Sequence, residues 1–162
     1  MRRLKVLLAE DDDDLRSLYG YMLLAAGYKV NAVRNGLQAF AEIQVNRPDV
    51  VVTDIAMPVL SGLDLIMAVR SDDELADLPV VAITSFGEGV CKQARAVGAT
   101  ESVDKPTDVT SMRQAIEAAV SHSSSARPRS NVGPPPKLSD KNYTRGATAG
   151  PATIPPIVRV RN

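Results

Sequence analysis

Three stretches of this chain are apolar almost without interruption and too short to be helices of their own. They are Val6-Leu7-Leu8-Ala9, Val50-Val51-Val52-Thr53 and Val80-Val81-Ala82-Ile83-Thr84. A strand with one face in water alternates apolar and polar residues. A strand that is apolar on both sides must be covered on both, which is the condition of the inner strands of a parallel sheet between two helical layers. Two further candidates are more polar. Tyr28–Val33 alternates, and Thr100-Glu101-Ser102-Val103-Asp104 has little apolar content. Three central strands and two edge strands account for this pattern.

The intervening segments carry helical spacing. Leu15, Leu18, Tyr19, Met22, Leu23 and Ala26 recur on one face, and Gly27 ends the run as a C-terminal cap does. Leu37, Phe40 and Ile43 form a second stripe, and Leu63, Ile66 and Val69 a third. A weaker helix spans about Glu88 to Val97 and stops at Gly98. Val109, Met112, Ile116 and Val120 mark a fifth, with Thr107 or Asp108 as its cap. Five βα units in succession predict an α/β fold, a doubly wound five-stranded parallel sheet with strand order 2-1-3-4-5. Such sheets bind ligands at the carboxyl ends of their strands, beside the switch point between strands 1 and 3.

Composition divides the chain. Residues 1–120 hold 12 Lys and Arg against 18 Asp and Glu, while residues 121–162 hold seven against the lone Asp140. The zero net charge therefore joins an acidic body to a basic tail, and does not exclude charged partners. From Ser121 the chain is rich in Ser, Pro, Gly and Arg and cannot bury enough surface to fold alone. The division expected is a folded domain over 1–122 and a tail over 123–162. That tail is either disordered or, through the alternation in Ile154–Arg161, a docked or exchanged arm that would make a twofold dimer. Nucleic-acid binding is not expected, because no motif-bearing reader is present. One cysteine, Cys91, excludes a disulfide framework and a multi-cysteine zinc site. Nothing in the sequence approaches the length of a signal peptide or a membrane span, so a cytoplasmic location is expected.

The strand ends carry the chemistry. Glu10 and Asp11 follow strand 1, Asp54 ends strand 3, Thr84 ends strand 4, and Lys105 follows strand 5. Three carboxylates at one rim repel and raise each other's pKa, a cost that a divalent cation removes. Mg²⁺ takes one or two carboxylates and keeps positions for water and phosphate oxygens. Asp54 is a candidate nucleophile, since carboxylates form aspartyl-phosphates. Lys105 and the Thr84 hydroxyl can then neutralise phosphoryl oxygens. Asp12, Asp13 and Asp14 have a plainer role, complementing the dipole of the first helix.

These residues resemble the receiver domain of two-component response regulators. The resemblance rests on Leu7-Leu8-Ala9-Glu10-Asp11-Asp12, Thr53-Asp54-Ile55-Ala56-Met57-Pro58, Ser61-Gly62-Leu63, Ile83-Thr84-Ser85, Gly98-Ala99 and Asp104-Lys105-Pro106, in order and at family spacing. It implies a stand-alone, CheY-like receiver in phosphorelay signalling, with a sensor histidine kinase as phosphodonor. It implies Asp54 as phosphoacceptor, with Mg²⁺ held by Asp11, Glu10 (through water), Asp54 and the backbone carbonyl of Ala56. Thr84 and Lys105 match the phosphoryl-binding positions, and the Lys105–Pro106 bond is expected to be cis. The chain would be no enzyme beyond its own phosphorylation and dephosphorylation. Two positions depart from the pattern: Ser102 stands where an aromatic switch residue is usual, and Thr107 where Phe usually follows Lys-Pro. Both fall near the helix 4–strand 5–helix 5 face, the usual output and dimer surface. The alternatives are a phosphorylation-independent docking module of the same fold, a flavin binder, and a metal-dependent phosphohydrolase. The last needs a general acid two residues after Asp54, where Ala56 cannot transfer protons.

Overall fold

The computed structural model describes residues 2–125, the side chains of 124 and 125 excepted. Its elements alternate: β1 Lys5–Ala9, α1 Asp13–Ala25, β2 Lys29–Val33, α2 Gly36–Val45, β3 Val50–Asp54, α3 Gly62–Ser71, β4 Val80–Thr84, α4 Gly87–Ala96, β5 Glu101–Asp104 and α5 Val109–Ser125. The sheet is parallel with order β2-β1-β3-β4-β5, so the order expected from the sequence holds. The three apolar runs are the central strands, and every residue of β3 and β4 is buried. Helix α5 continues beyond residue 122, where the composition shift suggested a boundary. From residue 126 onward the tail lies outside the described residues.

Alternation along the strands feeds two apolar layers. Leu7, Ala9, Val51 and Ala82 pack with Ala39 and Ile43 of α2, Leu65, Ile66 and Val69 of α3, and Ala94 of α4. Val6, Leu8, Val50, Val52, Val81 and Ile83 pack with Tyr19 and Leu23 of α1 and Met112, Ile116 and Ala119 of α5. Each large apolar side chain so buried contributes about 1.5–3 kcal/mol, less the entropy of ordering it. Three expected stripe members fall outside. Leu18 and Leu37 are 52% exposed each, because they lie on the flanks of α1 and α2, and Ala39 takes the inward position in α2; Val109, the first residue of α5, is 38% exposed.

Caps fix the helix ends. Asp12 accepts hydrogen bonds from the Asp14 and Leu15 amides, Asn35 from Gln38, Ser61 from Asp64, and Asp108 from Ser111, so Asp108 rather than Thr107 caps α5. Helix α1 stops at Gly27, whose φ of +93° lets the Tyr28 amide return to the Leu23 carbonyl. The same pair of returning bonds closes α4 at Gly98.

Candidate functional site

The carboxyl ends of the strands meet at one rim, and the sheet order decides which residues they bring. Because β1 lies between β2 and β3, the turn after β1 and the end of β3 are neighbours. Carboxylate oxygens of Glu10, Asp11 and Asp54 consequently lie within 4.8 Å of one another. Across β4, the end of β5 delivers Lys105. Its ammonium donates to Glu10 Oε2 at 2.8 Å and stands 3.3 Å from Asp54 Oδ1. The Lys105–Pro106 peptide is cis, and the Lys105 amide donates to the Thr84 carbonyl at 2.7 Å. Glu10 and Asp54 are almost wholly buried, whereas Asp11 is exposed at the mouth. Ala56, also exposed, follows two residues after Asp54.

The charges here do not balance by themselves. Burial pushes the Glu10 carboxyl above its usual range; the Lys105 hydrogen bond pulls it down, and the Asp54 charge pushes it up again. Burial alone would lower Lys105, but its hydrogen bond to Glu10 and the charges of Asp54 and Glu10 outweigh that and raise it. One ammonium thus faces three carboxylates. That all-oxygen donor set with surplus negative charge fits a hard divalent cation such as Mg²⁺.

Thr84 is buried at the end of β4, and its hydroxyl oxygen accepts the Phe86 amide at 3.1 Å. Ser102, on β5, pairs with Ala82 in the sheet register. Its hydroxyl is buried and, among the described residues, is the one buried side-chain oxygen or nitrogen without a hydrogen-bond partner.

Three residues support the site in roles that the sequence does not disclose. Arg16 donates to the Glu10 carbonyl at 3.0 Å and to the Asp11 carbonyl at 3.3 Å, bracing the acidic turn. The Tyr19 ring lies 5.9 Å from the Lys105 ammonium, in cation–π range. Neither carries a local sequence signal, since each acts on a residue from another element or turn. Gly62 was visible as a motif member, but its reason was not. A Cβ there would come within 2.1 Å of the Asp54 carbonyl oxygen, so only glycine lets α3 start against the end of β3.

The family model of the response regulator receiver domain matches residues 6–117. The chain belongs to that family. As a receiver, it is 32% identical over 114 residues to the polar-differentiation response regulator DivK of Brucella anthropi, covering 70% of this chain and 93% of that one. Its fold is similar to the chemotaxis response regulator CheY4 of Vibrio cholerae, with a TM-score of 0.68 and 30% identity over 73% of this chain and 99% of that one. The receiver domain of the Pseudomonas aeruginosa sensor histidine kinase PA1611, solved with magnesium in its active-site cleft, shares the fold. Its TM-score is 0.69 at 22% identity, covering 74% of this chain and 99% of that domain. No helix of the described residues is long and apolar enough to cross a membrane.

Proposed function

We propose that this receiver accepts a phosphoryl group on Asp54 from a phosphohistidine of a sensor histidine kinase, in a Mg²⁺-dependent reaction. The observation that carries the reading is the Lys105 ammonium, held between Glu10 and Asp54 with Asp11 completing the acid cluster. The Ile55 amide and Lys105 both approach Oδ1 of Asp54, which leaves Oδ2 to attack phosphorus. The new O–P bond forms as the P–N bond of the donor breaks, and the imidazole leaves with the electron pair. Lys105 is placed to meet negative charge on the transferred group, and Thr84 can donate its hydroxyl hydrogen to another phosphoryl oxygen. Glu10, Asp11, Asp54 and the Ala56 carbonyl would hold the metal. When bound, Mg²⁺ supplies the further positive charge that lets an anionic donor approach this acidic mouth. Attack of water on phosphorus later breaks the Asp54 O–P bond, releases inorganic phosphate and restores the carboxylate, so the chain is a switch with self-catalysed turnover.

The reading places the protein in the cytoplasm, and makes the α4–β5–α5 face or the C-terminal arm its dimer surface. Incubation with Mg²⁺ and acetyl phosphate tests the chemistry. An alkali-labile phosphoryl mass gain is expected on the native chain and none on Asp54→Asn. Equal gain on both would overturn the assignment.

A further inference from the structure

Four of the five helices begin with a side-chain cap, and α4 does not. Its N-cap residue is Phe86, which makes no side-chain cap bond, and its first turn contains Gly87 (φ +74°) and Gly89, both with open space around them. The side-chain contact at this entry is the acceptance of the Phe86 amide by Thr84 Oγ1. Thr84 is also the hydroxyl that the proposed function turns toward a phosphoryl oxygen. Such a turn strips the Phe86 amide of its acceptor, and a buried or half-buried amide without one costs free energy.

A second orphan stands nearby on the same side of the sheet. Thr84 pairs with Asp104 and Ala82 with Ser102, so Thr84 and Ser102 are diagonal neighbours of adjacent strands. Ala82 packs in the layer that contains Ala94 of α4, which places this side under α4. Diagonal neighbours on one face lie about 7–8 Å apart at Cα and closer at Cβ. The Ser102 hydroxyl has nothing to bond to in the present state. The Phe86 ring is 65% exposed, and from Gly87 to Ser125 the chain contains no Phe, Tyr or Trp.

We infer that phosphorylation hands the Phe86 amide from Thr84 Oγ1 to Ser102 Oγ, carrying the Phe86 ring inward from solvent over β5. The step satisfies both orphans at once. It also brings an aromatic ring from the β4–α4 junction over a strand that has none of its own. The uncapped, glycine-bearing first turn of α4 is the part that yields. This inference rests on Asp54 being the phosphoacceptor.

The chain has no tryptophan, so Phe86→Trp installs a single emitter at the moving position. On treatment with Mg²⁺ and acetyl phosphate, with the Asp54 mass gain followed in the same sample, its emission should shift to the blue. Phe86→Trp combined with Ser102→Ala should take up the phosphoryl group and lose most of the shift. Ser102→Ala alone should melt no lower than the native chain in the resting state, since it removes an unsatisfied hydroxyl. Mass gain without a blue shift, or an undiminished shift in the double variant, overturns the hand-over alone. Absence of any mass gain at Asp54 overturns the phosphoacceptor reading and the hand-over with it.

Discussion

Val59 has a φ of +71° and is 76% exposed, in the loop between Asp54 and α3. A β-branched residue in the left-handed region costs on the order of 1–3 kcal/mol. Asn tolerates that region far better, so Val59→Asn should stabilise the protein by about 1 kcal/mol, read from its urea midpoint at unchanged slope. At this scale the sequence told which residues meet and little about how. Glu10, Asp11, Asp54, Thr84 and Lys105 announce themselves by type at strand ends. The unsatisfied Ser102 hydroxyl and the bond from the Phe86 amide to Thr84 depend on side-chain orientation, which no spacing encodes. Arg16 was illegible for the same reason, because a guanidinium reaching back to two carbonyls looks like any helix-surface charge.

Elements were legible where their burial was extreme. Strands β3 and β4, covered on both faces, are spelled in continuous Val, Ile and Ala, whereas β5 is a partly exposed edge whose pattern barely differs from a loop. Helical stripes are legible in phase but not in width, which is why Leu18, Leu37 and Val109 share the apolar spacing and are nonetheless exposed. Capping was ambiguous by one residue at α5. Asp108 holds that helix by accepting the Ser111 amide at 2.7 Å, and this bond first, outweighing slight desolvation, lowers its pKa from the ordinary 3.8. The folded value lies below the unfolded one, so the cap's charge contribution is complete above about pH 4 and lost as the pH falls through the folded value. Asp108→Ala should accordingly lower the melting temperature at neutral pH, and the gap from the native chain should narrow below pH 3.8. A gap that widens in acid would contradict the capping account.

At the scale of the whole molecule, the surplus of carboxylates at the rim links metal binding to stability. Mg²⁺ at a hundredfold excess over its dissociation constant should add about 2.7 kcal/mol to the folded state. Asp11→Asn should lose most of that increment while melting close to the native chain in chelator, and differential scanning calorimetry separates the two effects. The overall fold was readable because two complete apolar layers must flank one sheet, and that requirement leaves few arrangements for five βα units. The site follows from the arrangement rather than from any segment. Its members hang on β1, β3, β4 and β5, whose order in space is not their order in the chain. Cut in the connection between α2 and β3, the protein would leave Glu10 and Asp11 on one piece and Asp54, Thr84 and Lys105 on the other. Neither half could be labelled by a phosphodonor until the two reassociated, and the two pieces together would form a reporter of proximity whose readout is the acyl phosphate itself.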